Sequence, residues 1–575
     1  MAGGEFTLRP KIEIDGTELS HDLETLLESV VVEDHLHTPD MFTLTFRDTS
    51  KDVVKQAKVE IGSKVKISAL PLGGSTPDVL IAGEVTGFDA AYGAAGTLAV
   101  VRGYDASHRL HHGRATQTYR NVKDSDIAKT VASRNNLEVG QIDDSKTTRD
   151  HVSQPNLSDW DFLQGRAKEI GFEVSVSDGK LNFRKPTPSS DAPGEGDFHS
   201  GNPLQLVFGS DLLEFHPRVS SAEQVKEVIV RGWDPKTKQA IIGSAAAGAS
   251  SAALPMTAAS MAEKWGNRKY TTVDRPLSTQ GEAEATAKAH AEHIGSAVAE
   301  AEGIARGNPK LKAGVAVSVA QVAEHFTGSY TLTQTRHVFD TQGYRTHFIV
   351  SGRQNRSLLG LVTGASNGNG AGGTSPIYGV VVAIVTNNDD PDQLARVKLK
   401  FPWLADEYES DWARITQLGA GPSAGAVFIP EVNDEVLVAF EFGDVRRPYV
   451  VGSLYNGKDK PKLGDGLVSG GKVKRSGFVS RKGHSLVFFD DDGKSGIALI
   501  SSDKKVRVAL KQNGPEIHIY CEGKVTIESQ GDMKIASKAN VSIEAGSQLK
   551  IKGDGGISVN SSSQVEIKGQ LIKLN

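Results

Sequence analysis

The sequence contains a single cysteine, Cys521, among its 575 residues. This excludes an intrachain disulfide and any zinc site built from several cysteines. Methionine and tryptophan are also scarce, with five of each, and the longest apolar runs, such as residues 380–385, are far too short to span a bilayer. The opening stretch, MAGGEFTLRPKIEID, lacks the apolar segment of a secretory signal, so we expect synthesis in the cytoplasm without a signal peptide.

Neither sign of charge is in large excess, because the sequence has 65 lysines and arginines and 70 aspartates and glutamates. A net charge of -5 provides no global basic surface, so we expect no nucleic-acid partner and no binding to anionic lipid. What the chain does have is glycine, 61 residues in all, with only 38% hydrophobic residues. At ~100–200 residues per domain, this length and composition predict several turn-rich, mainly β domains with some α-helix.

The clearest pattern is an eight-residue repeat that begins at residue 517. Each block has apolar residues at positions i and i+2 and a small residue at i+4. Because side chains alternate along a strand, the two apolar residues of a block face the same side. A fixed period of this kind indicates a β-solenoid. The paired apolar positions are Ile517, Ile519, Val525, Ile527, Met533, Ile535, Val541, Ile543, Leu549, Ile551, Ile557, Val559, Val565 and Ile567.

The number of repeats bears on assembly. One chain coiled alone as a three-faced solenoid would complete fewer than the roughly three coils that a solenoid core needs. Three chains wound together would place three apolar faces around a common axis. We therefore predict a C-terminal intertwined triple-stranded β-helix, and hence a trimer, whose core is formed by these apolar pairs. The alternative is a single-chain β-helix docked on the rest of the protein. Cys521, in the small i+4 column, is then expected to be a buried small residue, and His518 to point outward.

Local patterns place elements in the remainder. Residues 376–455 contain five or six short apolar segments with frequent turns, which predicts a small OB-type barrel. The expected strands lie at 380–385, 396–401, 412–416, 427–429, 435–440 and 449–454. The other expected elements are a short helix at 21–29, helices at 124–136, 158–171 and 282–304, a hairpin across 177–179, a low-complexity loop at 243–259, a glycine-rich tether at 364–373 and a hairpin turn at 490–493.

Several strings resemble VgrG-type spike proteins of contractile injection systems. Those in the barrel segment are Thr386–Asp392, Arg396–Trp403, Pro430–Val438, Arg446–Tyr449 and Gly452–Gly457, and those in the preceding region are Gly103–Asp105, Ser107–Leu110, Asn156–Leu163 and Asp178–Arg184. The resemblance extends over nearly the whole chain. It implies a β-rich hub domain at 1–115, an α+β hub domain at 116–365, a glycine-rich linker at 366–375, the barrel at 376–455, a connector at 456–485 and the β-helix spike at 486–575.

The resemblance also implies a function. The family forms a homotrimer at the tip of a contractile apparatus, where the hub continues the inner tube and the barrel and β-helix form a membrane-puncturing spike. The implied partners are the inner tube protein, baseplate proteins, a PAAR-repeat tip protein and effector cargo. The target membrane would be pierced mechanically, with no cofactor and no enzymatic step. The particle would assemble in the cytoplasm, and its release or delivery outside the cell stays open.

Signals for enzyme chemistry are weak. Gly368, Gly370 and Gly373 match a dinucleotide fingerprint by letters but precede a strand, not a helix. Two histidine groups, His35 with His37 and His108 with His111 and His112, are not expected to bind metal. The connector of about 30 residues is too short for a domain of ~100 residues. The open alternatives are a tail-associated cell-wall hydrolase with its site in residues 186–330, a trimeric surface adhesin, and a type VI secretion spike as opposed to the spike of a phage-tail-like particle.

Overall fold

The computed structural model describes residues 8–71, 76–94, 96–234, 237, 239–273, 277, 279–353, 377–405, 407–464, 466–491 and 493–574. These residues divide into two compact units, Met1–Asn456 and Gly457–Asn575. The predicted tether at 364–373 and linker at 366–375 lie outside the described residues. Within the described ranges, the longest and most apolar helices fall short of what crossing a bilayer requires.

The first third of the chain alternates long strands with short helices. Its strands are β1 (Leu8–Ile14), β2 (Thr17–Glu18), β3 (Leu27–His35), β4 (Met41–Arg47), β5 (Lys64–Pro71), β6 (Asp78–Gly93), β7 (Gly96–Asp105), β8 (Ala115–Lys123), β9 (Glu138–Ile142), β10 (Thr148–Leu157), β11 (Glu173–Ser177) and β12 (Lys180–Arg184). Its helices are α1 (His21–Glu24), α2 (Val53–Gln56), α3 (Asp124–Arg134) and α4 (Asp159–Ile170).

The next segment, up to residue 350, adds further strands and two helices. The strands are β13 (Gln205–Val207), β14 (Leu212–Val219), β15 (Glu227–Asp234), β16 (Gln239–Ala246), β17 (Ala252–Ala253), β18 (Lys269–Thr272), β19 (Ala299–Arg306), β20 (Ala316–Ala320), β21 (Gly328–Thr331), β22 (Gln334–Asp340) and β23 (Gly343–Val350). The helices are α5 (Ala258–Lys264) and α6 (Gln280–Ser296).

The remaining described elements are all strands or single 3-10 turns. They are β24 (Val380–Asn387), β25 (Lys398–Lys400), β26 (Arg414–Ile415), β27 (Ala420–Gly421), β28 (Ala424–Gly425), β29 (Glu435–Phe440), β30 (Pro448–Ser453), β31 (Val468–Ser469), β32 (Lys472–Val473), β33 (Arg475–Val479), β34 (Ser485–Asp491), β35 (Lys494–Ile500), β36 (Val506–Lys511) and β37 (Glu516–Cys521). The predicted mainly β class is confirmed.

An 11-stranded sheet organises the first unit, in the order β14-β19-β23-β22-β3-β4-β7-β6-β5-β1-β2. Alternation explains its core, since Val30 and Val32 on β3 and Phe42, Leu44 and Phe46 on β4 are essentially inaccessible to solvent. The sheet joins two distant parts of the chain, because β3 pairs with β22 in antiparallel register. The domain boundaries proposed from the sequence stay predictions.

Gly103 shows how tightly this sheet is packed. A Cβ at this position of β7 would lie 2.2 Å from the Glu84 backbone oxygen and 2.3 Å from the ring of Phe42. Both contacts are far inside van der Waals distance, so the phenyl ring can lie over β7 only because residue 103 has no side chain.

The helix predicted at 158–171 is confirmed with its caps. The Ser158 hydroxyl accepts a hydrogen bond from the Asp161 amide at 3.1 Å and donates to the Asp161 carboxylate at 2.7 Å. Gly171 ends the helix in the left-handed conformation, at φ 72°. The hairpin across 177–179 is confirmed as β11 and β12. The helix at 124–136 is present as α3, where Asp124 is a helical residue and not the cap.

Four local predictions were wrong in part. The short helix ends at Glu24 and is followed by β3, because the β-branched run at 30–32 pairs with β4 and β22. The alanine-rich helix ends at Ser296, and its predicted continuation is β19, where alternate alanines pack in the sheet. The loop at 243–259 contains the end of β16, all of β17 and the start of α5. Residues 427–429 form no strand.

The predicted OB-type barrel is confirmed as a five-stranded sheet in the order β25-β24-β29-β30-β26. Asp390 organises the turn before β25. Its carboxylate accepts hydrogen bonds from the backbone amides of Asp392, Leu394 and Arg396 and from the Arg396 guanidinium. These donors, the guanidinium first, lower the pKa of Asp390 to about 2. The string 389–403 therefore consists of a structural turn held by the Asp390–Arg396 ion pair, followed by β25.

Candidate assembly surface

The second unit contains an antiparallel meander of five strands, β33 to β37. One face of this sheet has a central row of buried side chains. Val487, Ala498 and Ala509 lie directly opposite one another on β34, β35 and β36, and all three are buried. His518 on β37 continues the row beside Ala509. This face also carries the charged pair Lys511 and Glu516, whose Nζ and Oε2 atoms are 2.6 Å apart. The lysine ammonium lowers the pKa of Glu516.

The opposite face of the meander is apolar and open to solvent. Residues directly across from each other in an antiparallel pair share a face, so the register defines two apolar rows. The first row is Phe478, Leu486, Leu499, Val508 and Ile519, and the second is Phe488, Ile497, Leu510 and Ile517. Their exposed fractions reach 54% for Leu499, 61% for Ile519 and 73% for Ile517. An apolar sheet face of this extent is typical of an interaction surface.

The structure thus brings the first predicted pair, Ile517 and Ile519, onto this apolar face. The later members follow it in the chain and are exposed in the single chain: Val525 (56%), Ile527 (73%), Met533 (53%), Ile535 (74%), Val541 (56%), Ile543 (66%), Leu549 (56%), Ile551 (67%), Ile557 (57%), Val559 (71%), Val565 (50%) and Ile567 (68%). Among described residues after Cys521, no strand is paired within the chain. Seven successive apolar pairs therefore lie outside any intrachain core, and their burial between chains stays a prediction.

Sequence reasoning predicted the β34–β35 hairpin and the strand at 517–519 but missed β33 and β36 of the meander. It treated residues 456–485 as an irregular connector, whereas β33 begins at Arg475. β34 and β35 pair as the expected hairpin, with Asp491 opposite Lys494. The signal that could have found the sheet is the alternation of Val506, Val508 and Leu510. His518 faces away from Ile517 and Ile519 as alternation predicts, but it is half-buried and 3.3 Å from Arg507 Nη2.

The two histidine groups have structural neighbours. The His37 amide donates to His35 Nδ1 at 2.9 Å, and burial lowers the pKa of His35 to about 4 and that of His37 to about 3. His108 Nε2 lies 3.1 Å from Glu84, and the ring of His111 stacks on Trp160 at 5.0 Å. In the part of the chain that the structure describes, no three histidine, cysteine or acidic side chains converge as a metal site would need.

The most perturbed carboxyl groups lie in the first unit, outside residues 186–330. Loss of hydration raises the pKa of Asp34, of Asp40 and of Asp105, the last to about 7. Asp34 accepts from the Ala313 amide at 2.9 Å, and Asp40 accepts from the His35 amide at 3.0 Å. The Ser107 hydroxyl donates to Asp105, whose amide donates to the Asp40 carbonyl. Backbone amides thus hold the carboxyls of Asp34 and Asp40, and a serine hydroxyl holds that of Asp105, as in a structural cluster.

Two family models match the chain. One, described as the Alg8 N-terminal domain, matches residues 7–340, which is more than half of the chain. The other, described as the type VI secretion system/phage-baseplate injector OB domain, matches residues 381–455, which include most of the barrel.

Curated relatives are spike proteins. The chain is 29% identical over 147 residues to the type VI secretion system spike protein VgrG1c of Pseudomonas aeruginosa, covering 24% of this chain and 18% of that protein. It is 32% identical over 148 residues to spike protein VgrG5 of the same species, covering 23% and 18%. The aligned part is therefore less than a fifth of the length of each of these relatives. The likeness to VgrG spike proteins that the motifs predicted is confirmed.

Solved structures share the fold. A chain in the structure titled Francisella PdpA-VgrG Complex, Lidded, aligns with a TM-score of 0.52 at 10% identity, covering 90% of this chain and 81% of that one. In the lidless form of that complex the TM-score is 0.50 at 10% identity, covering 90% and 99%. At such identities the match shows fold alone.

Proposed function

The chain belongs to the Alg8 N-terminal domain family. Because it also matches the injector OB domain and is similar to VgrG spike proteins, we propose that it is a homotrimeric hub-spike of a contractile injection system. In this role the 11-stranded sheet and its helices form the hub that continues the inner tube. The barrel, the meander and the octads form the spike. The spike acts as a rigid tool that is driven through a target membrane by contraction, and the chain itself catalyses no reaction.

The apolar surface of the second unit is the observation that carries this proposal. Two rows across the meander and the following octads leave large aliphatic side chains open to water. Burial of such side chains is the main favourable term in association. Three copies around one axis would bury all of these faces together and pair the octad backbones between chains, which also removes free strand edges. A shaft of this kind would have high kinetic stability, since opening one chain would expose the faces of two others.

The proposed partners follow from the role. The inner tube protein and baseplate proteins would contact the hub, and a PAAR-repeat tip protein would bind the far end of the spike. Effector cargo would be a further partner, delivered with the spike. Assembly would take place in the cell that makes the particle, and the spike would leave with it. The relatives are named as spikes of type VI secretion, and the OB-domain model covers phage baseplates as well. The coarser class, a contractile injection spike, is therefore the one we propose.

A mass measurement on the purified full chain tests the trimer. Light scattering coupled to size exclusion at micromolar concentration should give three chains of 61.3 kDa each. A stable monomer under these conditions would overturn the intertwined spike. Lysis of peptidoglycan in a zymogram by the same trimer would overturn the non-enzymatic assignment and favour the cell-wall hydrolase.

A further inference from the structure

Seven charged side chains in the first unit form one continuous series of ion pairs, which we call the charge chain. Its members, in order of contact, are Glu282, Arg149, Asp124, Arg166, Glu169, Arg446 and Asp444. Acidic and basic groups alternate without interruption. They come from five separate places in the fold, namely α6, β10, α3, α4 and the barrel loop before β30. The charge chain therefore crosses from the helical part of the first unit into the barrel.

The geometry of the central links is that of strong hydrogen-bonded pairs. Arg166 Nε donates to Asp124 Oδ1 at 2.7 Å and Nη2 donates to Oδ2 at 3.2 Å, so this contact is bidentate. The Asp124 and Arg166 side chains are only 1% and 4% exposed. Arg149 Nε donates at 3.2 Å to Asp124 Oδ2, the oxygen that also accepts from Arg166 Nη2, and Arg149 Nη1 donates to Glu282 at 3.0 Å. Charges this deeply buried persist only when each has a partner, so the links depend on one another.

Glu169 is the member that joins the two parts. One of its carboxylate oxygens accepts from Arg166, and the other accepts from Arg446 Nη1 at 2.9 Å. Arg446 is fixed in turn by Asp444, which accepts from its Nε at 3.0 Å and its Nη2 at 2.8 Å. The guanidinium is thus held in a fork that faces α4. Two further contacts join β8 and β10 to the barrel segment, from Arg120 to the Glu409 carboxylate and from His151 Nε2 to the Glu409 carbonyl at 3.0 Å.

We propose that the charge chain is the joint that locks the barrel onto the helical part of the hub, with Glu169 and Arg446 as its central link. Truncation of either residue removes the contact across the joint and leaves the other charge with one charged neighbour of the chain in place of two, Arg166 for Glu169 or Asp444 for Arg446. Loss of both removes the two charges together and is less harmful than the sum of the single losses. The mechanical role of the joint rests on the proposed function, because only in a spike would force applied to the hub reach the barrel through this contact. The existence of the joint depends only on the folded chain.

Hydrogen exchange on the full-length protein tests it. We compare the wild type with Glu169→Gln, Arg446→Gln and the double variant, and follow amides of α4 and of the barrel segment 444–453. Each single variant should exchange at least tenfold faster in both segments, and the double variant should exchange more slowly than the product of the single effects predicts. Asp126→Asn is the matched control, because Asp126 pairs with Lys129 on α3 in an exposed contact and should leave both segments unchanged.

Unchanged exchange in both single variants, or multiplicative effects in the double variant, would overturn the joint. Faster exchange in α4 alone, with the barrel segment unchanged, would also overturn it, because it would confine the effect to the local helix. The result is independent of the trimer measurement, which depends on the second unit. If the protein is a trimer but the exchange results contradict the joint, only this inference fails. If the exchange results support the joint but the protein is a monomer, only the proposed function fails.

Discussion

A carboxylate in the octad column should prevent assembly. Ile543 is 66% exposed in the single chain, so its burial between chains would contribute about 1–2 kcal/mol per chain. Replacement by aspartate in three chains would forfeit about 3–6 kcal/mol per trimer and would place three carboxylates around one axis, each at a cost of several kcal/mol. Ile543→Asp should therefore lower the trimer association constant by well over ~10⁶-fold, since each 1.4 kcal/mol is a factor of ten.

Light scattering on freshly purified variants measures this directly. Ser542→Asp is the matched control, because strand alternation in the predicted β-helix would place residue 542 on the face opposite to 541 and 543. We expect the control to form trimers and Ile543→Asp, like Val541→Asp, to remain monomeric or to aggregate. Normal trimer yield from Ile543→Asp would refute the interior placement of the i and i+2 column. Equal loss of trimer in the control would show that any charge in this segment is disruptive and would refute the assignment of faces.

Three further predictions concern the hub. Gly103→Ala should lower the hub's free energy of unfolding by about 1–3 kcal/mol, because the added Cβ would overlap the Phe42 ring. Gly87→Ala is the control and should leave it unchanged, because there is open space at its Cβ. Urea unfolding of the two variants measures the difference. Equal midpoints would contradict the packing. Because the folded hub holds the Asp105 proton more tightly than the unfolded chain, its stability should fall as pH rises from about 4 to about 7 and then level off. Asp105→Asn should remove this loss, which amounts to about 1.4 kcal/mol between pH 6 and pH 8.5 in thermal melts. An unchanged pH dependence in the variant would contradict the assignment. Ser158→Ala should lower the free energy of unfolding by about 1 kcal/mol, because α4 loses its N-cap. Ser158→Thr keeps a capping hydroxyl, so wild-type stability of that variant in the same melts would attribute the loss to capping and not to packing.

Sequence periodicity predicted those elements whose residues carry their own boundary chemistry. The α4 helix has a capping serine, an apolar stripe and a terminal glycine, and each of these acts locally. The barrel was likewise found from strands and turns of regular spacing. The alanine-rich segment misled the prediction because alanine favours a helix by intrinsic propensity, while Ala299, Ala301 and Ala305 pack in β19 between β14 and β23. Tertiary pairing overrode propensity there.

The candidate surface was predicted only in part, for a related reason. The octads are visible because eight-residue spacing repeats seven times in register. The meander before them has no fixed period, and its apolar face emerges only from cross-strand register, such as Leu499 opposite Val508. The charge chain was invisible in sequence, because its partners are separated by up to about 280 positions and no local pattern links Glu169 to Arg446. Long-range register and ion pairing are properties of the fold and not of any window of residues.

The pairing of β3 with β22 determines how late in synthesis β3 can complete its backbone hydrogen bonds. Val32 lies opposite His337, so one edge of β3 waits for roughly 300 further residues, about 15–60 s at ordinary rates of elongation. During that interval a run of β-branched residues at 30–32 has an open strand edge, the kind that recruits neighbouring chains. Glu28, Glu33 and Asp34 flank the run with negative charge, which disfavours such pairing between nascent chains on one polysome. The hub can close only after most of its length has left the ribosome.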